Sequence, residues 1–352
     1  MRCSTLKDLP TPPENKTGWP WTQESLQLPD KMPNGNPWPK ISIVTPNYNH
    51  GRFIEETIRS VLLQGYPNLE YIIIDGGSND SSIDIIRRYE KWITYWVSEP
   101  DRGHPDATNK GFMHARGDIF CWLNSSDWFE SGALKIIAEI LPEGGYWVVG
   151  DCLVVDESYK VIGHYIPEVI STAAYWVEQF LKGSSVRLPQ ASAFWNKDVW
   201  LNIGSLNENF QYVFDHEFFF RVYRTFGRPI IINRTLSHFR WHRDSKTCAA
   251  FMKVTSENLQ VGIENRHILP LLKQLKTPFF IVRTRGRLKL YEVLELNKGA
   301  KDTRIILCLL KALLNHPILL LDRMFLGFIY QKILKPHLRI PAWLLSKFTG
   351  LY

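Results

Sequence analysis

Between residues 41 and 123, short apolar runs alternate with segments of helical period, and every apolar run ends in a polar cluster. No other feature constrains the fold as strongly. Residues 41–45, Ile-Ser-Ile-Val-Thr, read as a buried strand ending at Pro46. Over 52–64, Phe53, Ile54, Ile58, Val61 and Leu62 recur on one helical face until Gly65-Tyr66-Pro67 stops the pattern. A strand over 69–74, a helix over 81–89, a strand over 95–97, a helix over 106–115 and a strand over 119–123 continue the series. This β-α-β-α-β-α-β order predicts an α/β fold with a Rossmann-like, mostly parallel sheet and flanking helices.

The alternation then fades. Residues 146–155 and 161–165 read as strands of a hairpin, 171–181 as a helix, 191–195 as a strand, 216–224 as a helix and 230–233 as a strand. The chain thus divides into an irregular Pro-rich arm over 1–38, carrying Trp19, Trp21 and Trp38, a catalytic domain over 39–245, and a helical, basic C-terminal region over 246–352. Residues 268–352 hold 15 Lys and Arg against 4 Asp and Glu, an excess of +11 in a chain of net charge +7. Such a region suits an anionic membrane surface. The apolar stretch 304–321 is interrupted by Lys311, His316 and Pro317. It falls short of the roughly 20 apolar residues of a spanning helix and reads as an interfacial helix or a helical cap. The five cysteines lack CxxC spacing and the N-terminus lacks a secretory leader, so a cytoplasmic protein is expected, peripheral on the inner face of the membrane if the basic region rests there. No nucleic-acid recognition motif accompanies the charge.

In open parallel sheets, ligands bind beyond the carboxyl ends of the strands. The polar clusters fall there: Asn47-Tyr48-Asn49, Asp75-Gly76-Gly77-Ser78-Asn79-Asp80, Glu99-Pro100-Asp101-Arg102-Gly103 and Asn124-Ser125-Ser126-Asp127. Each alone is an ordinary turn or helix cap. Four on one edge make a site. A carboxylate such as Asp75 accepts a base N–H or a ribose hydroxyl, Gly76 and Gly77 admit a ring close to the backbone, and Asp127 holds a hard divalent cation, Mn²⁺ or Mg²⁺, that grips a diphosphate. Neither a GxxxxGK[ST] loop nor a GxGxxG turn is present, which speaks against P-loop and dinucleotide chemistry.

Over residues 39–245 these motifs, in this order, resemble the family 2 glycosyltransferases of GT-A fold. Residues 43–49 are similar to the family's first-strand motif, 74–82 to its base-binding loop, and 98–111 to the stretch that meets ribose and diphosphate. Residues 122–127 resemble its metal-binding motif, with Ser126 in place of the first acid. The resemblance implies nucleotide contacts from Pro46, Asn47, Tyr48, Asn49, Asp75, Gly77, Ser78, Asp101, Arg102, Asp106, Lys110, Asn124 and Ser126. It implies a divalent metal on Asp127 and His242, an acceptor side lined by Gln190 and Trp195, and Asp215 as catalytic base. Residues 215 and 217 lie about 200° apart on a helix, so Glu217 faces elsewhere. The segment 237–247 resembles a late loop closing over the diphosphate. The implied reaction is inverting transfer from a nucleotide-sugar, UDP favoured, to a glycan or lipid-linked glycan in cell-surface polysaccharide synthesis. A nucleotide-sugar-forming nucleotidyltransferase and a non-catalytic carbohydrate-binding relative are the alternatives.

Overall fold

The computed structural model describes residues 4–141, 145–242 and 250–296. The apolar stretch 304–321 and the basic run Ser245-Lys246-Thr247 lie outside the described residues. The predicted alternation is present. β1 (Ile41–Asn47), α1 (Ile54–Leu62), β2 (Leu69–Asp75), α2 (Ser82–Tyr89), β3 (Tyr95–Ser98), α3 (His104–His114) and β4 (Ile119–Trp122) follow one another. Their strands form a parallel core in the order β3-β2-β1-β4. The chain runs outward from β1 through β2 to β3, then crosses back to place β4 on the other side of β1. That reversal opens a crevice at the carboxyl ends of β1 and β4. Register puts Asn47, Asp75 and Ser98 in one row across three strands.

Helix α1 follows from its sequence. Ile54, Ile58, Val61 and Leu62 are buried at helical spacing, and Glu55 and Glu56 occupy its first turn, where carboxylates oppose the helix dipole favourably. Helix α3 approaches the sheet so closely that a Cβ at Gly111 would lie 2.3 Å from Val44 Cγ1. Only glycine permits that contact without displacing the strand.

Beyond β4 the sheet becomes mixed. β8 (Ala193–Asn196) is antiparallel to β4, β6 (Trp147–Val155) is antiparallel to β8, and β9 (Ile230–Arg240) is parallel to β6. β5 (Trp128–Phe129) closes that edge on β9, and β7 (Val161–Tyr165) pairs β6 as the expected hairpin. Helices α4 (Ala133–Ile140), α6 (Lys197–Ile203) and α7 (Phe214–Phe226) complete this half. β9 continues seven residues past the expected end at 233, because after an irregularity at Asn233 and Arg234 the strand pairs again with β6 from Thr235 and with β5 at Ser237 and His238. Residues 237–240, expected in a loop, are therefore strand.

The described residues fall into two compact units, and α5 (Ala173–Leu181), expected within the catalytic domain, groups with the helices after Ala249. Packing explains the grouping. α5 buries Trp176, Val177, Phe180 and Leu181, a Cβ at Gly262 would lie 2.7 Å from Leu181 N, and Thr284 Oγ1 donates to Leu181 O at 2.8 Å. No helix among the described residues is long and apolar enough to cross a membrane.

The N-terminal arm is irregular but anchored to the sheet unit. Trp21 and Trp38 are buried, and the Trp19 indole donates to Phe129 O at 2.8 Å. The main anchor is Arg59 on α1, fully buried, whose guanidinium donates to Pro20 O at 3.0 Å, Pro10 O at 2.9 Å and Trp21 O at 2.9 Å. Replacing Arg59 by Met leaves those carbonyls without a donor, and each unmet buried group is costly. Arg59→Met is therefore expected to lose about 3 kcal/mol of stability and to expose the arm to protease. Denaturant titration with limited proteolysis checks this; an unchanged midpoint and cleavage pattern contradict it.

Candidate functional site

The row of strand ends is held by one carboxylate. Asp75 is fully buried, and its two oxygens accept from Asn47 Nδ2 at 2.6 Å, Ser78 Oγ at 2.6 Å, Ser78 N at 2.9 Å and Ser98 Oγ at 2.6 Å. All of its lone-pair directions are filled by protein. Asp75 thus ties the ends of β1, β2 and β3 together. Ser78 extends the brace by accepting from Asn49 N at 2.7 Å, and Asn49 Oδ1 accepts from Asn79 N at 2.9 Å. Pro46 is buried in β1 opposite Ile74 and contributes to the frame.

The open side of this edge is bordered by Tyr48, 60% exposed, and by Asp101, whose Oδ1 accepts from Gly103 N at 2.8 Å. They flank the backbone of Gly76, where a Cβ would lie 2.4 Å from Asp101 Oδ2 and 3.3 Å from Tyr48 Cδ2. Gly77 follows with φ of 79°, a conformation side chains disfavour. An aromatic face, a carboxylate and a bare backbone make a slot suited to a planar, N–H-bearing ring.

The other expected nucleotide residues of this loop brace it. Asp106, in the first turn of α3, accepts from Arg102 N and Arg102 Nη2, both at 2.9 Å. Arg102 also donates to Glu208 at 2.9 Å. Lys110 Nζ donates to Glu99 Oε1 at 2.9 Å and Pro100 O at 3.3 Å, and lies 3.6 Å from Asp106. The hydrogen bond to Glu99 is the main cause holding Lys110 above the ordinary lysine range.

Asn124–Asp127 follows β4. Asp127 is buried; Asn124 Nδ2 donates to its Oδ2 at 3.1 Å and Arg240 N to its Oδ1 at 3.1 Å, with Ser126 Oγ 3.4 Å from Oδ1. Burial pushes the Asp127 carboxyl up to about 7 against the opposing hydrogen bonds. Asn124 Oδ1 is buried and has no hydrogen-bond partner among the described residues. A carboxylate and an orphaned amide oxygen are ligands a hard divalent cation takes. No group of three or more His, Cys, Asp or Glu placed to share an ion occurs among the described residues. The donor set fits a cation that draws its other ligands from a diphosphate and water. His242 is buried beside this loop through His50: the two rings lie 5.3 Å apart, and His50 Nδ1 is 2.9 Å from Ser125 Oγ.

Gln190 also sits at the end of β4, donating to Trp122 O at 2.7 Å and accepting from Asn124 Nδ2 at 3.2 Å. Trp195, expected to line the acceptor side, does not reach it. It is fully buried, 5.4 Å from Trp122 and 5.3 Å from Phe218 between ring centroids. Its place in β8 opposite Phe120 and Trp147 directs it into the aromatic layer under α7.

Helix α7 begins where Phe214 packs 4.8 Å from His104 and 6.2 Å from Trp122. These contacts bring the first turn of α7 to the crevice beside α3 and β4. Among the described residues the half-buried Asp215 carboxylate makes one hydrogen bond, accepted from His216 N at 2.8 Å. Glu217 accepts from Arg221 Nε at 2.8 Å and faces away, as helix geometry requires.

Sequence reading missed Arg240 and Glu56. Arg240 is buried beneath the Asn124–Asp127 loop, its Nη2 2.6 Å from Glu56 Oε2 and its Nε 3.2 Å from Ser126 O, with Trp128 at 4.5 Å and Phe53 at 4.9 Å around the guanidinium. Their separation of 184 residues gave no local signal.

The family profile described as Glycosyl transferase family 2 matches residues 42–194. An uncharacterised glycosyltransferase of Mycobacterium tuberculosis is 30% identical over 207 residues, covering 57% of this chain and 75% of the relative. The GalNAc(5)-diNAcBac-PP-undecaprenol beta-1,3-glucosyltransferase of Campylobacter jejuni is 29% identical over 123 residues, 34% of this chain and 40% of that one. S. aureus TarS 1-349, solved in complex with UDP-GlcNAc, superposes with a TM-score of 0.51 at 15% identity over 79% of this chain and 82% of TarS. The parallel core with its mixed extension and the profile match agree with these likenesses, and the chain belongs to the family 2 glycosyltransferases, enzymes built here on the GT-A fold.

Proposed function

We propose that the protein transfers a sugar, with inversion, from a nucleoside-diphosphate sugar, UDP favoured, to a hydroxyl of a glycan or lipid-linked glycan in cell-surface polysaccharide synthesis. The observation that carries this reading is Asp215. It is an acid at the crevice whose carboxylate makes only the His216 contact among the described residues, while Glu217 two positions on is committed to Arg221. The lipid-linked substrate in the name of the Campylobacter relative and the UDP-GlcNAc bound by TarS support the acceptor and donor classes.

In this reading the base lies against Tyr48 and gives an N–H to Asp101. Gln190 and Asn124 border the sugar. Asp127, Asn124 Oδ1 and His242 are the groups that would hold a divalent cation, which when bound offsets charge on the diphosphate. The acceptor hydroxyl gives its proton to Asp215 as its oxygen attacks the anomeric carbon. The bond from that carbon to the diphosphate oxygen breaks on the opposite face, and the nucleoside diphosphate leaves.

A general base of this kind contributes roughly 10²–10⁴-fold. Asp215→Asn is expected to keep donor binding and lose transfer by that factor in a nucleotide-release assay; equal turnover contradicts the assignment. Asp127 gives a second test. A proton and a cation compete for the same carboxylate, and burial sets its titration near 7. Below that pH the acid form excludes the cation; above it the carboxylate is free to bind. Affinity for Mn²⁺ with UDP-glucose or UDP-N-acetylglucosamine is expected to fall about tenfold per pH unit below neutrality and to level off above. Calorimetry from acid to mildly basic pH reads this out, and a flat profile contradicts it.

A further inference from the structure

We infer that residues 266–289 form a bilayer-docking element for anionic lipid surfaces. This inference concerns the helical unit alone and does not rest on the transfer reaction. After Pro270 the chain runs through the short helix Leu271–Gln274 and, two residues later, into the helix Thr277–Leu296. Leu271, Leu272 and Leu275 are 74%, 77% and 73% exposed, and Phe279 and Val282 are exposed as well. Single exposed leucines need no explanation. Three in five residues, continued by two more apolar side chains, do.

With Leu271 as the origin of a helical wheel of about 100° per residue, Val282 falls at about 20°, Leu275 at about 40°, Phe279 at about 80° and Leu272 at about 100°. The five fall within about 100° of one another, in a stripe that runs from Leu271 to Val282 and ends before the buried Gly286 and the exposed Lys289, which is paired with Glu292. Thr277 falls at about 240° and Thr284 at about 220° on the same wheel. They are the buried side, with Thr284 Oγ1 bonded to Leu181 O. The helices therefore bury one face on their own unit and present an apolar stripe on the opposite side.

Charge selects what meets that stripe. Residues 265–291 contain seven Lys and Arg and no acid. Lys276 at about 140° and Arg283 at about 120° border the stripe on one flank, and Arg285 at about 320° borders it on the other. Lys273 is paired with Glu178. A convex apolar ridge bordered by cations matches the boundary between acyl chains and anionic headgroups. A second copy of the same surface would bring like charges together, which opposes self-association through this face.

The test uses the full chain with vesicles of phosphatidylglycerol and phosphatidylcholine in equal parts, against pure phosphatidylcholine, read by flotation. Binding is expected on the anionic vesicles, at least about tenfold tighter than on neutral ones, and weaker as salt is raised. The triple variant Leu271→Ser, Leu272→Ser, Leu275→Ser is expected to lose roughly 100-fold of that binding with an unchanged melting temperature, since all three side chains are exposed. Failure of the wild type to bind anionic vesicles, equal binding by the variant, or a stripe whose substitution changes only the oligomeric state would each overturn the inference. Nucleotide release with a soluble acceptor is expected to be the same in both proteins, so failed docking stays distinct from failed catalysis.

Discussion

The site depends on the buried Asp75 carboxylate. Three parallel strands end in line, and their last residues need a common acceptor to hold the following loops in register. Asp75 provides it for donors from β1, from its own loop and from β3. Hydrogen bonds to an ionised acceptor are roughly twice as strong as neutral ones, and a buried network with every member satisfied is rigid. Gly76 and Gly77 follow directly, so the slot between Tyr48 and Asp101 takes its shape from this node.

A second buried centre fixes the other half of the crevice. Arg240, at the end of β9, reaches Glu56 on α1 and the backbone of the Asn124–Asp127 loop, joining three elements remote in sequence. Buried ion pairs gain little over well-packed apolar groups, but losing one partner is expensive. The value of this pair is geometric. It sets Asp127 in a buried position, where loss of solvent raises the carboxyl's pKa.

Much of this was legible in the sequence, and the limits have physical causes. The parallel core was readable because apolar runs, glycine breaks and helical spacing are local. The polar clusters were readable as one edge because a parallel sheet carries the carboxyl ends of its strands on the same side. Their individual roles were not. Asp75 and Asp101 are both acids after strands, and only tertiary hydrogen bonding makes one a brace and sets the other beside the slot. Trp195 was placed on the acceptor side by the resemblance of its segment, and strand pairing turns it into the core. α4 and α6 were not read in advance; both lie beyond residue 123, where the strand–helix alternation that frames the earlier helices has faded. Asp215 and Glu217 were separable in advance because helix geometry alone distinguishes them.

The central claim is a single displacement at the anomeric carbon by an acceptor activated from one face of the crevice. Its most direct measurement is the configuration of the product. The enzyme would be supplied with UDP-, GDP- and dTDP-sugars and a glycan acceptor, and the new linkage read by the coupling of its anomeric proton in an NMR spectrum. An α-linked donor is predicted to give a β-linked product. A product that keeps the donor's configuration would contradict the account.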